Sequence, residues 1–164
     1  MPTAKKANKE TTTFTTPTDR ELVATRIFDA PRDRIWDAHT RPEYVRNWML
    51  GPEGWTLPIC EMDLRPGGAW HFVWRQADGT EMSMRGEFRE VNRPERLVRT
   101  EEWGGDWPET LNTLVLTEQD GKTRLVTTVL YPSKDEREKA IGTGMKEGWA
   151  QSYDRLEKYL RSII

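Results

Sequence analysis

From Glu21 to Phe28 the segment ELVATRIF is β-rich with a rough alternation of side chains, the pattern of a strand. Asp29-Ala30-Pro31 ends it and opens a helix with Pro in the first turn, running to about His39 with Ile35 and Trp36 inward. Thr40-Arg41-Pro42-Glu43 has capping-box spacing and predicts a second helix with Tyr44, Val45 and Trp48 as its apolar stripe. The Gly and Pro of MLGPEGWTLP then read as a loop carrying Trp55. Six strands follow, at about 57–64, 69–75, 81–91, 96–103, 110–118 and 123–131. Their separators are turn chemistry: Pro66-Gly67-Gly68, Ala77-Asp78-Gly79, Asn92-Arg93-Pro94 and Gln119-Asp120-Gly121. The Asp-Gly pairs supply positive-φ positions, so consecutive strands are expected to pair as antiparallel hairpins.

The chain closes on a helical pattern. Ser133-Lys134-Asp135-Glu136 repeats the capping-box spacing, and Gly142 and Gly144 bend or interrupt the segment. Met145, Trp149, Tyr153, Leu156, Leu160 and Ile163 then form one apolar face, while Lys146, Glu147, Gln151, Asp154, Arg155, Glu157 and Lys158 take the remaining surface. Such a helix must lie on an apolar surface, and the inner face of the sheet is the large one available. The expected architecture is α+β: a curved antiparallel sheet wrapped around a long C-terminal helix, with two short helices after the first strand. Trp70, Phe72 and Trp74 share the inner face of one strand, with Met82, Met84, Gly86 and Phe88 inward on the next, where Gly86 relieves a bulge or leaves room beside an aromatic. Residues 1–19 are polar and Thr-rich without periodicity, a disordered tail ahead of one domain at 20–164.

Composition adds one anomaly and several exclusions. Eight Trp stand in a chain of 164 residues that is only 35% hydrophobic, so large rings must supply much of the interior or wall a cavity. A chain of this length buries roughly 70% of its unfolded surface and needs neither disulfide nor metal to hold a core. The single Cys60 excludes zinc ribbons and thiol redox pairs and suits a reducing, cytoplasmic setting as a small apolar residue. A net charge of −2 gives no electrostatic footprint for nucleic acid, and no run of 18 apolar residues predicts membrane insertion.

The order of several short motifs resembles the activator of heat-shock protein 90 ATPase homologue family, within the SRPBCC superfamily that also holds polyketide cyclase-like and START-related lipid-transfer domains. They are Ala30-Pro31 with Ile35-Trp36-Asp37-Ala38, Pro42-Glu43 leading to Trp48, and Pro66-Gly67-Gly68-Ala69-Trp70 with Asp78-Gly79 and Gly86. Pro94-Glu95-Arg96-Leu97-Val98, Thr123-Arg124-Leu125 and Gly148-Trp149 with Leu156 complete the set, which spans Glu21 to Leu160. The resemblance implies the helix-grip fold (Bet v-like, START-like) and a cavity between sheet and C-terminal helix, but no shared catalytic set. Arg41 stands where the family more often has an acidic residue before the Pro.

No zinc-protease, nucleophile-elbow, phosphate-loop or EF-hand spacing occurs, and neither metal nor cofactor is expected. Gly142-Thr143-Gly144 reads as a helix interruption, and His39 and His71 read as structural. The ligand-binding candidates are Trp48, Trp55, Trp70, Phe72, Trp74, Met84, Trp103, Trp107 and Trp149, with Gly104-Gly105-Asp106-Trp107-Pro108 as a candidate lid. Either Glu101 or Glu102, turned inward, would be a desolvated carboxyl able to act as general base, and Arg99 or Arg85 would anchor an acidic ligand head. The leading expectation is a non-enzymatic binder of a small apolar or aromatic ligand. An enzyme of cyclase, dehydratase or hydrolase type and a chaperone-interaction module are the alternatives, and a homodimer is left open.

Overall fold

The computed structural model describes residues 11–163. Eight strands form one antiparallel sheet in the order β1-β2-β8-β7-β6-β5-β4-β3. They are β1 (Thr13–Thr15), β2 (Glu21–Phe28), β3 (Trp55–Met62), β4 (Ala69–Gln76), β5 (Glu81–Asn92), β6 (Arg96–Glu101), β7 (Thr110–Gln119) and β8 (Lys122–Leu130). Two helices, α1 (Arg32–Thr40) and α2 (Pro42–Val45), separate β2 from β3, while α3 (Lys134–Ile141) and the long α4 (Met145–Ser162) end the chain. This is the helix-grip arrangement, with β3 to β8 as a continuous meander and β2 closing on β8.

Local chemistry explains the joints. Asp120 and Gly121 both hold positive φ, 55° and 78°, so the β7–β8 hairpin is tight and its register runs unbroken from Leu111–Leu130 to Gln119–Lys122. Ser133 caps α3 as its spacing predicts, its Oγ accepting from the Glu136 N–H at 3.2 Å. Gly144 at φ 84° turns the chain between α3 and α4. Gly86 is required by close approach: a Cβ there would collide with the Thr100 carbonyl and sit 2.6 Å from the Trp70 Nε1.

Three expectations are corrected. Thr40 is no cap; it is the last residue of α1, its hydroxyl donating to the Trp36 carbonyl at 2.8 Å, and α2 is a single turn capped without a side chain. Of the 1–19 tail, residues 1–10 lie outside the described residues, but Thr13–Thr15 is an edge strand paired with β2, and Phe14 meets Trp149 edge to face at 5.5 Å. Glu157 is buried rather than part of the helix's solvent face. It lies 3.7 Å from the Arg26 guanidinium, which also holds Asp154 at 2.7 Å and so ties α4 across β2.

The core sits between the concave sheet face and the helices, with Phe28, Ile35, Trp36, Trp48, Trp70, Phe72, Phe88, Leu116, Leu125 and Leu156 sealed from solvent. Cys60 is among the buried residues, and burial raises its thiol to about 11, so it is a small apolar side chain rather than a nucleophile.

Candidate functional site

Packing does not fill the whole space between sheet and α4. A cavity of about 510 Å³ remains, bounded by β4 to β8, α4, the residues after α2 and the β6–β7 loop. The strand period decides which side chains reach it. Leu97, Arg99 and Glu101 alternate into it from β6, and register sets Leu97 beside Leu114, Arg99 beside Asn112 and Glu101 beside Thr110 of β7. Thr127 and Val129 continue these rows on β8, with Trp149, Ser152 and Tyr153 opposite on α4.

The end wall is the turn at Met49-Leu50-Gly51-Pro52, held by hydrogen bonds at two points. The Trp74 indole N–H donates to the Met49 carbonyl at 2.8 Å, and the Gly51 N–H donates to the Ser152 hydroxyl at 2.8 Å. Gly148 lets α4 approach this turn, since a Cβ there would stand 3.0 Å from Pro52 Cδ. At the mouth Trp103 stacks on Trp74 with centroids 6.0 Å apart at 17°, and remains 39% exposed. The Lys139 ammonium lies 4.8 Å from the Trp107 ring, tying the Gly104-Gly105 loop to α3.

Among the expected ligand-binding residues, Trp48, Trp55, Trp74, Met84, Trp103, Trp107 and Trp149 line this cavity. Trp70 and Phe72 do not. They face inward but are covered by the Arg99 guanidinium, 4.2 and 5.8 Å from their centroids, and the Trp70 N–H is used on the Thr100 carbonyl at 3.1 Å. Met82, assigned inward, lines the rim and is 38% exposed.

The polar candidates separate cleanly. Glu101 and Arg99 face the cavity and pair at 3.5 Å with side chains only 14% exposed, whereas Arg85 and Glu102 are exposed and bridge through their backbones. Burial raises the Glu101 carboxyl above its ordinary range against the opposing pull of Arg99, and burial lowers the Arg99 guanidinium against Glu101. His39, read as structural from the sequence, also stands at the cavity. It is buried on the cavity wall, with Nδ1 2.8 Å from the Ile35 carbonyl and its ring 4.8 Å from Trp48. Desolvation, with the nearby Arg99 charge adding to it, lowers His39 to about 4, so its ring is neutral at physiological pH. Asn112, Thr127 and Tyr153 were missed, with Thr127 and Tyr153 hydroxyls 3.3 Å apart. The alternation of LVRTE was the one available signal, since it puts Arg99 and Glu101 on one face. Among the described residues no group of His, Cys, Asp and Glu is arranged to hold a metal, and no helix is long and apolar enough to cross a membrane.

The family model for activator of Hsp90 ATPase homolog 1-like proteins matches residues 29–161. The chain belongs to that family. Solved structures agree across nearly its whole length. A protein from Rhodobacter sphaeroides superposes with TM-score 0.89 at 25% identity, covering 93% of this chain and 99% of its own. One from Mycobacterium smegmatis gives TM-score 0.81 at 25% identity over 92% and 96% of the two chains. A third, from Nitrosomonas europaea, gives 0.79 at 25% identity over 90% and 97%. No curated protein is similar to the chain at a significant level. These three structures share the sheet-and-helix frame that encloses the cavity in this chain.

Proposed function

We propose that the protein binds a small apolar or aromatic molecule in the cavity between sheet and C-terminal helix. The observation that carries this reading is a space of about 510 Å³ walled by rings brought from four separate parts of the chain: Trp48 and Trp55 flanking the end-wall turn, Trp74 from β4, Trp103 and Trp107 from the β6–β7 loop, and Trp149 from α4. Burial of apolar area against rigid rings supplies affinity, and a few polar groups fix orientation. The size falls within the range of small-molecule sites.

Native mass spectrometry of freshly purified protein, beside a thermal-shift panel of lipids and polycyclic aromatics, tests it. A ligand at about a hundred times its Kd adds about 2.7 kcal/mol, a midpoint rise of about 5–10 °C at this size. A co-purified mass or such a rise supports the reading. A bare mass with no shift across the panel opposes it and turns attention to the interaction module implied by the family name.

A second reading, an enzyme acting through an inward carboxylate, is favoured by one observation: Glu101 faces the cavity with its carboxyl raised above the ordinary carboxylate range by burial. Its test is the Glu101→Gln variant on any molecule that the first screen yields. Unchanged turnover, or no turnover by the unaltered protein, removes it.

A further inference from the structure

Rings retain an aromatic body, and the polar side chains of the lining decide what head group it carries. Asn112 Nδ2 donates to the Thr110 hydroxyl at 3.1 Å, and the Thr127 and Tyr153 hydroxyls meet at 3.3 Å, so these groups serve one another. Arg99 and Glu101 are less fully spent. They stand two residues apart on β6 and so project to the same side. Their contact is 3.5 Å, longer than the about 2.7–2.9 Å of a well-made charge-assisted hydrogen bond.

Both ends of this pair are within a ligand's reach. Each side chain lines the cavity and keeps 14% exposure, and no N or O atom of either is sealed away without a partner. Beyond the ion pair, Arg99 lies over the Trp70 and Phe72 rings, and Glu101 accepts from the Trp103 side chain. A guanidinium has five N–H donors and a carboxylate about four acceptor positions, so donors remain on one group and acceptors on the other.

Charge narrows the choice further. Arg99 and Glu101 are the charged side chains of the lining among the described residues, and they are of opposite sign. His39 adds no charge, because burial holds its ring neutral at physiological pH. A ligand carboxylate would give up its water to meet Arg99 with Glu101 beside it. An uncharged group gives up less and bonds to both partners at once.

Resting on the ligand-binding reading above, we propose that the cavity takes an uncharged ring compound whose head group sets a carbonyl oxygen beside an N–H or O–H, as in a carboxamide or a hydroxy-ketone. The carbonyl accepts from Arg99 and the neighbouring N–H or O–H donates to Glu101, so the head bridges the stretched pair. The rings accept any flat apolar body, and the pair selects this head over both a bare ring and an acid.

Four probes of one ring system test this at neutral pH by quenching of the fluorescence of the eight tryptophans: naphthalene, a naphthyl methyl ketone, a naphthamide and a naphthoate. The ketone, which only accepts, should bind about tenfold tighter than naphthalene. The amide, which accepts and donates, should bind about tenfold tighter again, each step the worth of one hydrogen bond to a charged group. The naphthoate should bind more weakly than the amide. Glu101→Gln removes the negative charge and keeps the shape, so the naphthoate should gain about tenfold in that variant while the amide gains nothing. If the variant does not fold, the probe series on the unaltered protein decides alone. A ketone no tighter than naphthalene, an amide no tighter than the ketone, a naphthoate as tight as the amide, or a naphthoate unimproved by Glu101→Gln would each overturn the inference while leaving the ligand-binding reading in place. Failure of all four to bind would overturn both.

Discussion

Trp70 and Trp74 lie four residues apart on the same face of the same strand, yet one is packed core and the other is cavity wall. Over Trp70 lies the Arg99 guanidinium at 4.2 Å, beside it is Phe72 at 5.0 Å, and its N–H is satisfied by the Thr100 carbonyl of β6. Trp74 satisfies its N–H on Met49 instead, and it meets Phe72 edge to face at 5.8 Å and the half-open Trp103 as a stack. Alternation delivers both rings to the concave face, but side chains from β6, beyond β5 in the sheet, and from the β6–β7 loop decide what covers each. Where β6 projects a long cation over the rings the interior is closed, and past the end of β6 at Glu101 the Trp74 ring, stacked under Trp103, borders the cavity. A ring-rich face is therefore not by itself a pocket.

The comparison can be broken first at its packed end. Trp70→Ala should cost about 4 kcal/mol in chemical denaturation, since it empties a site with no exposure and orphans the Thr100 carbonyl. Gly86→Ala should cost about 3 kcal/mol by pushing on that same carbonyl and indole, and a variant as stable as the parent would show that β5 and β6 can separate there.

Acid separates the ends in another way. His39 is lowered from 6.5 to about 4, so the unfolded chain binds a proton between those values and the folded chain does not. The stability this represents is complete above pH 6.5 and is lost as pH falls toward 4, about 3 kcal/mol in all. Glu101 on β6, raised by burial, contributes a slope of opposite sign, while Arg99 of β6 and Tyr153 of α4 face the same space and stay protonated through this range. Denaturation curves from pH 7 to 4 for the parent and His39→Phe should differ by the histidine's share; parallel curves would mean that the imidazole is solvated.

Smaller effects belong to the cavity wall. Trp149→Ala should weaken binding of a screened ligand by about tenfold, more than it lowers stability, because its ring is only partly buried and meets Phe14 and Tyr153 at its edges. Equal losses in both would return Trp149 to the core. Trp103→Ala, at the exposed rim, should change the unfolding free energy by no more than about 0.5 kcal/mol and affinity about threefold, measured on the same ligand.

Much of the frame was legible because its signals are local. Asp120-Gly121 can hold two positive φ values, Ser133 can reach the Glu136 N–H, and the period of AWHFVW places three rings on one face whatever surrounds them. Thr40 misled because a capping-box spacing also fits a threonine that back-bonds to the turn before it, and the continuing helix won. Glu157 misled because a glutamate at a polar helix position looks solvated until Arg26, over a hundred residues away in sequence, is found beneath it. The Thr-rich 13–15 segment has too few side chains to show a period, and its strand comes from the open edge of β2.

From the amino-acid order alone came the elements, their antiparallel succession, the long amphipathic helix and the aromatic face, since each depends on neighbours within a few residues. The tertiary structure decided which rings close the core and which border a void, that Glu101 rather than Glu102 turns inward, and that His39 is buried and neutral. These are matters of what one strand or helix lays against another, where burial and a distant charge act across space and leave no mark on the spacing of residues along the chain.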